Sequence, residues 1–187
     1  MSVRIYGNRE IKTLAGEATR PTSARVREAL FNIWQGRVLG CRWLDLCAGS
    51  GAMGAEALCR GAAEVVGIEQ SGAACRIVAQ NWQKVAKSEQ KHRVVKGDAV
   101  RQIKGLDGKF DLVYFDPPYA GDLYQPVIAE LVNVLQPSGE AAVECGVGQW
   151  QPTRLPEGIE IVREKKYGST CLVFLRIARI DSSDKYL

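Results

Sequence analysis

The sequence predicts a doubly wound α/β fold, with a mostly parallel sheet of seven strands that ends in an antiparallel hairpin. The main observation is that short apolar segments alternate with amphipathic segments from Arg42 onward. A second is the continuous apolar run at residues 112–115, which is typical of a strand buried on both faces. With 187 residues, of which 46% are hydrophobic, the chain can form one such domain with a short arm.

Residues 1–41 are expected to form a basic arm. Alternation at 3–14 around Gly7-Asn8 predicts a small hairpin. A helix is expected next, with Thr22 or Ser23 as its N-cap. Its apolar stripe consists of Val26, Ala29, Leu30, Ile33 and Trp34. Three polar residues lie off this stripe and are expected to reach a partner: Arg25, Arg27 and Asn32.

Residues 42–180 are expected to form the main domain, and residues 181–187 a frayed tail. Strands are predicted at 43–47, 64–69, 93–96, 110–115 and 140–145. Helices are predicted at 51–58, 71–85, 99–103 and 123–135. Two further strands, at 159–166 and 171–177, are joined by a short turn. This hairpin is the reason to expect an antiparallel strand at the end of the sheet.

The charge distribution favours a polyanionic partner. The net charge is +4, and residues 1–42 alone carry +5. A solvated basic surface is the alternative interpretation. Six cysteines without Cys-x-x-Cys spacing and a single histidine, His92, argue against a zinc site and against a Ser-His or Cys-His pair. Because the sequence has neither a membrane-spanning apolar segment nor a signal peptide, a cytoplasmic protein is expected.

A glycine motif follows the first strand of the main domain. Gly49, Gly51 and Gly54 form the pattern G-x-G-x-x-G where a helix begins. Gly49 and Gly51 are expected to let the backbone approach a ligand, while Glu69, at the end of the next strand, can accept hydrogen bonds from ribose hydroxyls. The pattern fits NAD(P), FAD or S-adenosylmethionine (SAM), and it also fits a merely tight strand-helix turn.

Two details favour SAM among these ligands. Asp45 lies inside the strand, four residues before the first glycine, and a carboxylate there suits a cationic ligand better than a pyrophosphate. Asp98 and Ala99 follow the third strand of the main domain and are candidates for contacts with the adenine. Asp98 is also a candidate N-cap, and the two roles are compatible.

The motif Asp116-Pro117-Pro118-Tyr119 follows the fourth strand, at the carboxyl edge of the predicted sheet. An exocyclic amine on a nucleobase is a poor nucleophile because its lone pair is delocalised into the ring. The Asp116 carboxylate and the Pro117 carbonyl can each accept one N–H and hold the nitrogen pyramidal. The prolines restrict the backbone, and Tyr119 offers a face for an unstacked base. A Pro-rich turn with an exposed Tyr119 is the alternative.

These motifs resemble the series found in class I SAM-dependent methyltransferases that act on amino nitrogens. The segment 20–33, which begins Arg-Pro-Thr-Ser, together with Lys166-Tyr-Gly-Ser-Thr170, is similar to the RsmD family of bacterial 16S ribosomal RNA guanine-N2 methyltransferases. The resemblance covers nearly the whole chain. It implies a single methylation of a guanine in small-subunit rRNA, within a partly assembled ribonucleoprotein particle, by direct transfer from sulfur to nitrogen without a metal.

The resemblance also implies roles for particular residues. Those expected to act in catalysis are Asp116, Pro117, Pro118 and Tyr119. Those expected to contact SAM are Asp45, Ala48, Gly49, Ser50, Gly51, Glu69, Asp98 and Ala99. Those expected to contact RNA are Arg4, Arg9, Arg20, Arg25, Arg27 and Tyr167, although Tyr167 is equally suited to packing within the hairpin. A monomer is expected, since the target is large.

Four alternatives stay open. An N6-adenine DNA methyltransferase shares the Asp-Pro-Pro-Tyr motif, but the chain lacks an obvious domain for reading base edges. A protein glutamine methyltransferase is disfavoured by Asp116 and by the basic arm. A dinucleotide oxidoreductase leaves Asp116 and its neighbours unexplained. A non-catalytic RNA-binding assembly factor is disfavoured by the intact motif and by Glu69.

Overall fold

A computed structural model describes residues 2–14, 23–118, 123–150 and 155–178. The strands are β1 Ser2–Ile5, β2 Arg9–Lys12, β3 Arg42–Leu46, β4 Glu64–Glu69, β5 Lys91–Lys96, β6 Phe110–Phe115, β7 Leu135–Gly146, β8 Ile159–Tyr167 and β9 Thr170–Ile177. The helices are α1 Ala24–Ile33, α2 Ala52–Cys59, α3 Gly72–Val85, α4 Ala99–Gln102, α5 Tyr124–Ala129 and α6 Leu131–Val134. Short 3-10 turns lie at Tyr6–Asn8 and Ile103–Gly105.

The main sheet has seven strands in the order β5-β4-β3-β6-β7-β9-β8. The five strands from β5 to β7 run parallel, whereas β9 is antiparallel to both of its neighbours. The predicted fold class, including the antiparallel hairpin strand, is therefore confirmed. The chain passes from β3 outward to β5 and then returns to β6 on the other side of β3. This reversal creates a crevice at the carboxyl ends of β3 and β6, where doubly wound folds bind ligands.

Apolar layers cover both faces of the sheet. One layer joins the arm, α2 and α3 to the sheet and includes the stacked rings of Phe31 and Trp43, whose centroids are 5.2 Å apart. The other layer packs α4, α5 and α6 against the opposite face, with Phe115 and Ile128 among its buried residues. Burial on both faces explains why the central strands read as continuous apolar runs.

The arm forms the predicted hairpin and helix. Strands β1 and β2 pair in antiparallel register, with Val3 opposite Ile11. The side chain of Ser23 caps α1 by accepting from the Val26 amide at 3.2 Å. Thr22, the other proposed cap, lies outside the described residues.

Several predicted boundaries differ from the structure. The helix predicted at 123–135 is two short helices, α5 and α6, separated at Glu130. Strand β7 begins five residues before the predicted start, at Leu135, because its first residue pairs with Phe110 ahead of an irregularity in the register. Strand β5 starts at Lys91 rather than residue 93. No helix among the described residues is long and apolar enough to cross a membrane.

Candidate active site

The carboxyl edge of the sheet brings together the residues that the motifs single out. Because Leu46 pairs with Phe115 across β3 and β6, the glycine turn after β3 lies beside Asp116 after β6. Glu69 ends β4 on the other side of β3, and Asp98 follows β5 beyond it. Adjacent parallel strands thus gather four separate sequence motifs along one crevice.

The glycine turn is held in a conformation that favours glycine. Gly49 has φ +57° and Gly51 has φ +72°, and the amide of Gly51 donates to the carbonyl of Ala48 at 2.7 Å. A Cβ built on Gly49 would meet nothing within 4 Å, so that residue borders open space. The backbone at Gly49 is therefore accessible to a ligand, as the motif predicts.

The contact with Trp82 gives Gly51 a further reason to lack a side chain, beyond its positive φ and its predicted role beside a ligand. A Cβ on Gly51 would lie 2.8 Å from Nε1 of Trp82, and one on Gly54 would lie 2.4 Å from the same ring. A Cβ on Gly67 of β4 would lie 2.6 Å from the Trp82 ring. The indole Nε1 also donates to the Gly51 carbonyl at 2.8 Å. The absence of side chains at these glycines leaves room for the ring of Trp82 of α3. The ring packs against the glycine turn and holds it by the hydrogen bond to Gly51.

Asn81, next to Trp82, ties the turn to the arm. Its Nδ2 donates to the carbonyls of Ser50 and Lys12, each at 2.9 Å, and its Oδ1 accepts from the Lys12 amide at 2.9 Å. Sequence analysis missed both residues. The available signal was the set of small residues at 51, 54 and 67, which leaves a gap that only a large ring fills.

Glu69 and Asp98 are each held by backbone amides. The two oxygens of Glu69 accept from Gly49 N at 2.8 Å and from Ser71 N at 2.7 Å. Since a carboxylate offers about four lone-pair sites, it can still accept from ribose hydroxyls. Asp98 caps α4 by accepting from Arg101 N at 3.0 Å, as predicted, and Ala99 begins that helix. Both carboxyl groups therefore lie at the carboxyl edge of the sheet, where the sequence predicts the ribose and adenine contacts.

Asp45 is the most enclosed of the predicted cofactor residues. It is 1% exposed, and its Oδ2 accepts from the Gly54 amide at 3.0 Å. Burial raises the pKa of its carboxyl group from 3.8 to about 8, against the effect of that hydrogen bond. Such a group ionises readily only when a cation comes close to it.

Asp116 continues from β6 with its amide 3.5 Å from the Leu46 carbonyl. Its side chain is half-buried, Pro117 is buried and Pro118 is exposed. Burial raises the pKa of Asp116, and the charges of Glu144 and Asp45 raise it further. Tyr119 lies outside the described residues.

Carboxyl groups from different strands converge on Cys47, at the centre of this edge. Burial raises the pKa of the Cys47 thiol to about 12, and four carboxyl groups add to the rise: Glu69, Asp116, Asp45 and Asp98. Within the described part of the chain, none of the four forms an ion pair. The described residues contain no group of three or more His, Cys, Asp or Glu that could hold a metal ion. This edge of the sheet thus gathers four carboxyl groups around one thiol.

Glu144 is a fifth carboxyl group at this edge, and sequence analysis missed it. It lies on β7, is 5% exposed and accepts a hydrogen bond from the hydroxyl of Tyr114. The only signal was an acidic residue inside the apolar run of β7, at a position where strand alternation does not require a polar side chain.

One predicted RNA contact is wrong. Arg27 is only 4% exposed, because α2 and the hairpin cover its side of α1. Its Nε donates to Glu56 Oε2 at 2.6 Å, and its Nη2 donates to the carbonyl of Arg4 at 2.6 Å. Arg27 therefore joins the arm to α2 and is not available to a phosphate group.

The other predicted RNA residues remain candidates. The side chains of Arg4, Arg9 and Arg25 are exposed. Arg9 also donates to the Val85 carbonyl at 3.1 Å, which holds its guanidinium close to the protein surface. Tyr167 is half-buried against the core. Arg20 lies outside the described residues.

Comparison with known proteins identifies relatives along nearly the whole chain. Ribosomal RNA small subunit methyltransferase D of Haemophilus influenzae is 30% identical over 168 residues, which are 88% of this chain and 86% of that protein. The protein of the same name from Escherichia coli K12 is 32% identical over 176 residues, 89% of this chain and 85% of that protein.

Structural comparison agrees with this result. The solved structure of yhhF from Escherichia coli superposes with a TM-score of 0.82 at 29% identity, covering 96% of this chain and 100% of that one. A family model described as Conserved hypothetical protein 95 matches residues 3–176. The chain therefore belongs to this family, the RsmD family of methyltransferases.

Proposed function

We propose that this protein transfers the methyl group of SAM to the exocyclic N2 amine of a guanine in small-subunit (16S) rRNA. When bound, SAM supplies a methyl group made electrophilic by a positively charged sulfur. Membership of the RsmD family supports methyl transfer, and the names of the relatives, which specify small-subunit ribosomal RNA, support this substrate.

The observation that carries the proposal is the set of carboxyl groups along the crevice. Asp45 and Asp116 are partly or fully enclosed and have no cationic partner among the described residues. A ligand with ammonium and sulfonium groups supplies the missing positive charge. The pyrophosphate of a dinucleotide would instead oppose the ionisation of these carboxyl groups and would gain no ionic attraction from them. The geometry thus favours SAM over NAD(P) or FAD.

Asp116 and Pro117 are the residues proposed to prepare the amine. Each presents an oxygen that can accept one N–H of the NH2 group, so that the nitrogen lone pair turns out of the ring plane toward the methyl carbon. Bound SAM, held by Asp45, Gly49 and Glu69, would supply the methyl group to this nitrogen, and the electrons of the C–S bond would stay on sulfur. The methylated nitrogen then loses a proton, and the Asp116 carboxylate is positioned to accept it.

The basic arm, residues 1–41, is proposed to bind the phosphate backbone. Arg4, Arg9 and Arg25 are the exposed candidates. A partly assembled small-subunit particle is the proposed substrate, and a monomer is the proposed active form. Tyr167 and Tyr119 are proposed as stacking surfaces for a base that has left its helix.

Methylation of purified substrates tests the proposal. The enzyme is incubated with labelled SAM and with small subunits from cells that lack the enzyme, and the rRNA nucleosides are then analysed by mass spectrometry. N2-methylguanosine at a single position is expected. Methyl transfer only to DNA, as N6-methyladenine, would assign the protein to the alternative amine methyltransferases.

A thermal-shift measurement separates the remaining alternatives. SAM is expected to raise the melting temperature, because a ligand that binds only the folded state stabilises it. NADH is expected to leave it unchanged. A shift with NADH alone would favour an oxidoreductase, and rRNA binding without any methyl transfer would favour an assembly factor.

A further inference from the structure

Glu144 and Asp116 are neighbours on adjacent parallel strands. Phe115 of β6 pairs with Val143 of β7, so the next residue on each strand, Asp116 and Glu144, lies at the same level. Glu144 is close enough for its charge to raise the pKa of Asp116. Among the described residues, no lysine, arginine or histidine forms an ion pair with either group.

Tyr114 makes the two carboxyl groups unequal. Its side chain is buried and its hydroxyl donates to Oε2 of Glu144. A hydrogen bond from a neutral donor stabilises an ionised carboxylate and therefore favours the negative charge on Glu144. Two enclosed carboxylates on neighbouring strands do not both ionise readily, so the remaining proton is left to Asp116.

Within the described part of the chain, the groups that flank the pair on β3, β7 and β9 carry no positive charge. The charge of Asp45 on β3 raises the pKa of Asp116. The charge of Asp116 raises the pKa of the Cys47 thiol. On β7, the Cys145 thiol has its pKa raised to about 12, with burial as the main cause and Glu144 among the lesser ones. On β9, the residue paired with Glu144 is Leu172. None of these groups offers a positive charge that would let both carboxyl groups ionise.

We infer that Glu144 is a positioning residue for methyl transfer: it shares one proton with Asp116, and the Tyr114 hydroxyl keeps the shared negative charge on Glu144. The inference rests on the proposed function, in which Asp116 accepts the proton of the methylated amine. A neighbouring carboxylate makes Asp116 a stronger base than an isolated aspartate, so Asp116 can hold that proton until the product leaves. The active form is the one in which Asp116 has lost the shared proton. The amine then gives up its proton, Asp116 receives it, the one-proton pair is restored, and Glu144 stays ionised throughout.

The pH dependence of kcat/KM tests this inference. Wild-type activity is expected to fall on the acid side with an apparent pKa well above the ordinary aspartate value of about 3.9. Glu144→Gln keeps the shape of the side chain and removes its charge, so the acid limb is expected to move to lower pH by about one unit or more. At a pH on the wild-type acid limb, the variant would retain about tenfold more of its own plateau activity.

Tyr114→Phe is a second test variant, and the direction of its effect on the pH profile is also predicted. Without the hydroxyl, the shared proton moves toward Glu144, Asp116 ionises at lower pH, and the acid limb again shifts downward. Glu164→Gln, an exposed glutamate on β8, is the matched control and is expected to leave the profile unchanged. If Glu144 served only packing, both test variants would lower the plateau without moving the acid limb, and that result would overturn the inference.

A titration without substrate keeps this result separate from the proposed function. The 13C signals of labelled aspartate and glutamate carboxyl groups are followed against pH in the protein alone. Asp116 is expected to titrate above the ordinary range in the wild type and lower in Glu144→Gln. An unchanged Asp116 titration would contradict the shared proton even if rRNA methylation is intact. If the Asp116 titration shifts but the protein methylates no rRNA, the inference that Glu144 and Asp116 share a proton stands, and the proposed rRNA substrate is wrong.

Discussion

Acidic side chains at the two ends of the sheet differ in whether the protein neutralises them. At the amino end, Arg42 pairs with Glu64 at 2.7 Å, and its amide donates to Asp111 at 2.8 Å. Further along β7, Glu140 accepts from Trp34 Nε1 at 2.7 Å and pairs with Arg37 and Arg163 at 3.2 and 2.9 Å. At the carboxyl end, the acidic side chains have no such partners among the described residues.

The difference separates structural charges from charges held for a ligand. Glu140 and Glu144 lie four residues apart on the same strand and are equally enclosed, at 5% exposure each. Glu140 is neutralised by arginines and so serves the fold. Glu144 has one hydrogen bond from a tyrosine and lies beside Asp116. An enclosed charge without a protein partner is costly, and a bound cation can offset that cost.

The largest effect is expected for Asp116→Ala. Removing the acceptor for the amine should lower kcat by roughly 10²–10⁴-fold, since it removes both orientation and proton acceptance. SAM affinity, measured by calorimetry, should fall far less than kcat, because Asp45 remains to balance the positive charge of the ligand. The control is Asp111→Ala at the other end of the same strand, which is expected to lower stability but to leave kcat close to wild type. Near-normal turnover by Asp116→Ala would contradict the role given to it.

Arg27→Ala tests the structural side of the comparison. It leaves Glu56, which is buried, with Arg60 as its remaining ion-pair partner among the described residues, at 2.8 Å. Breaking a buried ion pair on one side is expected to lower the free energy of unfolding by about 3 kcal/mol, as measured by urea denaturation. Arg25→Ala, an exposed change on the same helix, is expected to stay within about 0.5 kcal/mol. Equal effects would mean that Arg27 is not a structural residue.

Asp45→Asn is expected to stabilise the free protein. In the folded protein the pKa of Asp45 is about 8, against an ordinary value of 3.8, so the folded state holds a proton that the unfolded state has lost. Stability therefore falls as pH rises from about 4 to about 8. Asparagine removes this loss and should raise the free energy of unfolding at pH 8 by about 1–3 kcal/mol, with little gain at pH 4.

The same substitution should weaken SAM binding, because asparagine cannot balance a positive charge. Urea denaturation at both pH values and a SAM titration check the two halves of this prediction. A variant that is destabilised at pH 8 would show that Asp45 is already paired in the free protein.

The smallest effect is expected for Arg25→Glu. An exposed phosphate contact contributes about 1 kcal/mol, so RNA affinity should fall several-fold at low salt and less at high salt. Filter binding at two salt concentrations measures this change. SAM affinity should be unaffected, and a loss of SAM affinity would mean that α1 contributes to the cofactor site.

Local patterns were sufficient to predict most of the fold. The caps at Ser23 and Asp98, the positive φ of Gly49 and the central strands follow from nearest-neighbour chemistry and from alternation. The boundary between α5 and α6 did not, because an apolar stripe continues past Glu130 although the helix does not.

The errors within the site have a different origin, which is tertiary contact. Arg27 lies off the predicted apolar stripe, which includes Val26 and Leu30. In the structure the buried face of α1 is wider than this stripe and also includes Arg27 and Phe31, because the hairpin and α2 cover that side of the helix. The spacing of apolar residues predicts which side of a helix is buried. It does not predict which neighbouring elements cover the polar residues at the edge of that side. Glu144 likewise gains meaning only from its position beside Asp116, which depends on strand order.

The central claim is that the carboxyl groups of the crevice await a positively charged ligand. The most direct test is to measure whether protons are released when SAM binds. Calorimetry at pH 7, in buffers of different ionisation enthalpy, measures the protons exchanged. We predict release of about 0.5–1 proton for each SAM bound, because the cation makes Asp45 ionise, and loss of most of this release in Asp45→Asn. Binding with no proton exchange, or with proton uptake, would contradict the account.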